Sequence, residues 1–88
     1  MVNFSLEGKT ALVTGASRGI GQALALALAT SGAFVICASS RPGGCDETLR
    51  KIQSEGGQAM ALDADLADAD AVVKLAEDAL SIKGHIDI

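Results

Sequence analysis

Apolar residues along this chain follow two rhythms, short unbroken runs and longer stretches recurring every three to four positions, and the two alternate. Ala11-Leu12-Val13 is a short run, and with Thr10 it predicts a strand over 10–13. Over 19–30 the rhythm becomes helical, with Leu24, Leu28 and an alanine-rich face suited to close approach to a sheet. Gly32 stands where a glycine ends a helix. A second strand is expected over 33–38, because Phe34-Val35-Ile36-Cys37 is apolar on both faces, as a covered parallel strand should be. Residues 39–45 read as a loop marked by Pro42, Gly43 and Gly44. Asp46 is placed to cap a second helix over 46–55, with Leu49 and Ile52 facing inward, and Gly56-Gly57 stops it. A third strand follows over 58–62. Asp68 caps a third helix, whose acidic Asp70 complements the dipole of its first turn. Val72, Val73, Leu75, Ala76, Ala79 and Leu80 form that helix's apolar stripe. Gly84 ends it, and Ile86-Asp87-Ile88 begins a fourth strand.

Strands alternating with helices imply parallel βαβ units joined by right-handed crossovers. The expected strand order is 3-2-1-4, with the first two helices on one face and the third on the other. The fold class is therefore α/β, half of a doubly wound parallel sheet and little more. With 88 residues the chain makes one small domain at most. Two Phe and no Trp or Tyr leave the core to Ala, Leu, Val and Ile.

Charge narrows the partners. A net charge of −4 argues against nucleic acid and anionic membranes, which call for basic patches. No apolar run approaches the ~20 residues of a membrane span. Met1-Val2-Asn3-Phe4-Ser5 has neither a basic region nor a secretory apolar core, so the expected location is cytoplasmic. Cys37 and Cys45 fit neither a zinc nor a redox spacing. Cys37 reads as a small buried hydrophobe and Cys45 as a free loop thiol. His85, the only histidine, reads as a turn residue beside Gly84, since no second ligand could complete a metal site.

The chemistry lies in Thr14-Gly15-Ala16-Ser17-Arg18-Gly19-Ile20-Gly21, between the first strand and the first helix. Gly15 allows a sharp turn, Gly19 allows backbone to approach a phosphate with no Cβ intervening, and Gly21 allows the helix to pack closely. A helix N-terminus then offers free N–H groups and a partial positive charge. A dinucleotide is the natural ligand. The spacing is G-x-x-x-G-x-G, and the full string from Gly8 to Gly21 resembles the N-terminal signature of the short-chain dehydrogenase/reductase family, G-K-x-A-L-V-T-G-A-S-R-G-I-G. The resemblance implies the N-terminal half of a Rossmann-type sheet. It also implies hydride transfer between a nicotinamide and an alcohol or carbonyl carbon.

NAD-binding forms of such folds carry an acidic residue near the end of the second strand. Here that region reads Ala38-Ser39-Ser40-Arg41, with no carboxylate before Asp46. A carboxylate ~4 Å from a phosphate charge would cost on the order of 4 kcal/mol at an effective dielectric near 20, so its absence favours NADP(H). Arg18 and Arg41 can offer forked donors to a 2′-phosphate, and Ser39 and Ser40 can add hydroxyls. NAD(H) stays open, because family members that read the phosphate with a basic residue place it at the position of Ser40, and Arg41 stands one later.

Asp63-Ala64-Asp65-Leu66-Ala67-Asp68 resembles the family's A-D-V-x-D segment. That likeness implies that Asp65 accepts from the adenine amino group and that the Leu66 backbone meets the ring. It also implies that Ser17 and Ile20 contact the cofactor, Ile20 through its N–H. The family continues from G-H-I-D-I into L-V-N-N-A-G and later supplies a catalytic serine, tyrosine and lysine. This chain has no Tyr, so the expectation is a cofactor-binding N-terminal piece of a reductase, with no catalytic residue of its own. The alternative is a non-catalytic nucleotide-binding or interaction module. Resemblance further implies a homo-oligomeric, commonly tetrameric parent. The terminal segments are similar, at branch level, to gluconate or 2-deoxygluconate dehydrogenases and to 3-oxoacyl carrier-protein reductases.

Overall fold

A computed structural model describes residues 5–88. The reading of the opening segment as free of a leader falls on residues 1–4, which lie outside the described residues. Six elements follow one another: β1 (Thr10–Thr14), α1 (Gly19–Thr30), β2 (Phe34–Ser39), α2 (Asp46–Ser54), β3 (Gln58–Asp63) and α3 (Ala69–Lys83). The strands form one parallel sheet in the order β1-β2-β3. This is the N-terminal, doubly wound Rossmann-type half that the sequence predicts. Thr10 pairs with Phe34 and Phe34 with Gln58, so the strands start level and also finish level, at Thr14, Ala38 and Leu62.

The outer edge of β1 is partly covered. Leu12 N–H donates to the Ile88 carbonyl at 3.0 Å, and Asp87 N–H donates to the Thr10 carbonyl at 2.8 Å. Residues 86–88 thus lie along the free edge of β1, on the side expected for a fourth strand. The Asp87 carboxylate adds a second clamp by accepting from Thr10 N–H at 2.9 Å, and it also meets His85 Nδ1 at 2.7 Å. The Thr10 backbone bond holds the Asp87 carboxyl below the usual carboxylate range against an opposing effect of burial, and the His85 contacts add to the lowering.

Alternation along the strands divides the sheet into two faces. Ala11, Val13, Val35 and Cys37 point to one face and join Ala16, Ala25, Ala29, Ala33, Cys45 and Ile52 in a single buried cluster. There α1 packs on β1 and β2, and α2 packs on β3 and α1. The opposite face carries Phe34 and Ile36. Lys83 of α3 lies over the Phe34 ring, 4.6 Å from its centroid, which places α3 on that face.

Three expectations need correction. Leu24 is 51% exposed, and α1 meets the sheet through Ala25 and Ala29, one and two turns beyond Gly21, a stripe narrow enough for close approach. Cys45 is fully buried, and it rather than Asp46 stands at the start of α2, with no side-chain cap. Of the α3 stripe only Leu75 and Ala79 are buried, while Val72, Val73 and Leu80 remain exposed, since α3 meets the sheet mainly at β3. The α3 caps are as expected: Asp68 accepts from Asp70 N–H at 3.0 Å, and Gly84 closes the helix at φ 83°.

Candidate functional site

The site lies at the level ends of the strands, where β1 gives way to α1. Gly15 and Gly19 both sit at positive φ (65° and 62°), so the loop makes two left-handed turns that a side chain would strain. Gly21 has another reason to lack a side chain. A Cβ there would fall onto the Gly15 carbonyl oxygen and within 2.7 Å of its carbon. Gly21 thus lets the first turn of α1 pack closely on the backbone that leaves β1.

Where the loop's amides point decides what the corner can hold. Ala16 N–H is used, donating to the Ala38 carbonyl at 3.3 Å, and Gln22 N–H already closes the helix onto the Arg18 carbonyl. Between them, the N–H groups of Ser17, Arg18, Gly19, Ile20 and Gly21 donate to no protein acceptor among the described residues. The first turns of α2 and α3 carry Asp46, Glu47 and Asp70, whereas that of α1 holds no acid. Its positive end is left for an external anion.

Seven of the predicted residues line one cleft of about 220 Å³: Gly15, Ser17, Arg18, Ser39, Ser40, Arg41 and Leu66. No carboxylate lines it. Neither Arg18 nor Arg41 has an ion-pair partner among the described residues. Gly19, Ile20, Gly21 and Asp65 are not in the lining. Ile20 turns its side chain out, 87% exposed, so only its backbone faces the corner. Asp65 is exposed and accepts from Ala67 N–H at 3.0 Å, which orders its loop and leaves its second oxygen free.

The two serines differ. Ser39 is buried and its hydroxyl donates to the Arg41 carbonyl at 2.8 Å, joining Gly44 N–H on the same oxygen across the Pro42-Gly43 turn. Its one proton is committed to holding that turn. Ser40 Oγ accepts from Leu66 N–H at 3.4 Å, so its proton stays available to a ligand and the β2 and β3 loops are joined across the cleft.

Both cysteine thiols are buried, which favours their neutral form. Burial, reinforced by the neighbouring Cys45, pushes the Cys37 thiol up to about 12. Burial likewise raises Cys45, outweighing a lowering contact with Ser39, despite its place at a helix N-terminus where thiols usually become more acidic. No group of metal-ligating side chains occurs among the described residues. No helix there is long and apolar enough to cross a membrane.

Sequence reasoning missed three residues. Thr48, fully buried on α2, donates to the Ala16 carbonyl and accepts from Gln22 Nε2, and Lys51 Nζ donates to Gln22 Oε1. A polar residue amid the inward positions of α2, beside Leu49 and Ile52, was the available signal.

A family model described as short chain dehydrogenase matches residues 9–88. The chain belongs to the short-chain dehydrogenase family. Versicolorin reductase of Emericella nidulans is 46% identical over 88 residues, covering 98% of this chain and 33% of the relative. Among solved structures, a 3-oxoacyl (acyl-carrier-protein) reductase of Agrobacterium tumefaciens with NADP bound superposes with a TM-score of 0.87 at 46% identity. That match covers 91% of this chain and 31% of the other. A 7α-hydroxysteroid dehydrogenase complexed with NADH and 7-oxo glycochenodeoxycholic acid matches at TM-score 0.89 and 36% identity, covering 97% and 33%. This short-chain dehydrogenase sequence thus spans about a third of the length of the relatives it matches. Oxidoreductase family membership follows from these matches; of the two solved neighbours, one holds NADP and the other NADH.

Proposed function

We propose that residues 1–88 form the cofactor-binding part of an NAD(P)-dependent oxidoreductase and favour NADP(H) over NAD(H). The observation that carries this is the cleft lined by Arg18 and Arg41 and by no carboxylate, beside five N–H groups without a protein acceptor. The amides from Ser17 to Gly21, at the positive end of α1, would hold the diphosphate. Arg18, Arg41 and the Ser40 hydroxyl would take the 2′-phosphate, with Ser39 shaping that wall. Asp65 and the Leu66 backbone would meet the adenine. When bound, the nicotinamide supplies hydride exchange with an alcohol or carbonyl carbon of a small substrate. The groups that orient and protonate that substrate belong to the whole protein, which we take to be a cytoplasmic homo-oligomer.

Calorimetric titration of the 88-residue chain with NADPH and NADH tests this. NADPH is expected to bind at one per chain and at least about tenfold tighter than NADH, the worth of one or two charge-assisted hydrogen bonds. Tighter NADH binding would remove Arg18 and Arg41 from the phosphate. No binding of either would remove the dinucleotide from this corner.

A further inference from the structure

We propose that Thr48, through Gln22 and Lys51, is a positioning residue that aims the diphosphate-binding amides from behind. The proposal rests on the dinucleotide reading above. A loop can present its N–H groups forward only if its carbonyls are held back. Two consecutive carbonyls of this loop, those of Ala16 and Ser17, are held by one side-chain chain. The Thr48 hydroxyl donates to the Ala16 carbonyl at 2.6 Å. Gln22 Nε2 donates to Thr48 Oγ1 at 2.9 Å and to the Ser17 carbonyl at 3.4 Å. Lys51 Nζ donates to Gln22 Oε1 at 3.2 Å and fixes which end of the amide faces the loop.

Every proton in this chain has one direction. Lysine can only donate, so the glutamine oxygen must face it and the glutamine NH₂ must face Thr48 and Ser17. Thr48 Oγ1 accepts one bond, which leaves its own proton for Ala16. The inner end of this run is stiff, because an unmade bond at the fully buried Thr48 hydroxyl is costly. Lys51, exposed and also paired with Glu47 at 3.3 Å, forms its outer end. Neither Thr48 nor Lys51 lines the cleft. They act on the ligand through the loop alone.

The test compares two ligands on the unaltered chain and on Thr48→Val, which keeps the shape and removes the hydroxyl. NADPH engages the diphosphate amides; adenosine 2′-phosphate, which lacks the diphosphate, meets the loop only through the long Arg18 side chain and none of its amides. Thr48→Val is expected to weaken NADPH about tenfold and adenosine 2′-phosphate less than twofold, with Thr48→Ser restoring NADPH affinity. A merely structural role would weaken both ligands alike, and equal losses, or none, overturn the strut alone. Failure of the unaltered chain to bind NADPH overturns the dinucleotide reading and the strut with it. Should Thr48→Val not fold, Gln22→Met carries the same comparison, because it cuts the bridge while leaving the Thr48 hydroxyl on Ala16. Its expected NADPH loss is about threefold, with adenosine 2′-phosphate again spared.

Discussion

The two faces of the sheet are built to different degrees of completion, and the glycine-loop corner proposed for the cofactor hangs on only one of them. Under α1 and α2, ten residues from β1, β2, the two helices and the loops between them join in one buried cluster. The glycine loop is the upper rim of that cluster, through Ala16, and the Thr48 strut reaches it from α2. On the other face α3 buries Leu75 and Ala79, yet leaves Val72, Val73, Leu80 and, on β3, Met60 exposed. A phosphate-binding corner therefore needs the βαβα half that surrounds it, and owes little to the opposite layer. Substitutions on the two faces should differ in kind.

The largest effect on the site itself, loss of binding, is expected at Gly21. In Gly21→Ala the new methyl meets backbone, the Gly15 carbonyl, which has no rotamer to yield. The expected cost is at the upper end of the roughly 1–3 kcal/mol typical of overpacking, with NADPH binding lost along with it. Denaturant titration and calorimetry measure both. A Gly21→Ala chain that binds normally would mean that the helix and loop are not in contact in solution.

Next comes the core of the closed face. Ile52 is 1% exposed and joins α2 to the sheet. Ile52→Ala should cost about 2–5 kcal/mol, depending on how far the gap collapses. In a domain this small, that is a large part of the total stability. A loss no greater than that of an exposed α3 position would erase the distinction between the faces.

Acid–base behaviour sharpens the comparison without a cavity. Cys37 lies in the closed cluster with its thiol pushed up to about 12, so folding favours the neutral form. Its contribution is complete below the ordinary thiol range near 8.5 and declines as pH rises through about 12. Cys37→Ala should flatten the alkaline limb of stability against pH. Asp87 has the opposite sign: its depressed carboxyl adds stability above about pH 4 that fades as pH falls through its lower folded value. Asp87→Asn should flatten the acid limb. Thermal melts across pH read both, and an unchanged limb in either variant would show that the group does not titrate differently on folding.

What the sequence made legible divides along the same line. The element order and the Gly15–Gly21 loop were readable because periodicity and backbone conformation are local properties. Gly15 and Gly19 take the positive φ that their positions imply. The Asp68 and Gly84 caps were readable for the same reason. Asp46 was not, because a cap depends on where the chain enters the helix, and a buried Cys45 holds that place. Ser39 was legible as a residue of the cleft but not in its role, since the Arg41 carbonyl that takes its proton is brought to it by the Pro42-Gly43 turn. The Thr48–Gln22 bond joins residues 26 apart on different helices, and no periodicity encodes it. The α3 stripe shows the converse: its pattern is amphipathic, but burial needs a neighbour, and periodicity says nothing of whether one is present.

That stripe gives the smallest expected effect and the strictest test of the comparison. Val73 is 57% exposed on α3. Val73→Lys removes little buried apolar area and replaces a β-branched residue with a better helix former, so stability should change by no more than about 0.5 kcal/mol. NADPH binding should be untouched, because α3 contributes nothing to the cleft lining. Sedimentation should show less self-association at high concentration, since exposed apolar positions on one face favour sticking. A loss above about 1 kcal/mol would mean that Val73 is covered in solution, by another copy or by a rearranged α3. The second face would then be closed too, and the contrast between the two would belong to the isolated chain alone.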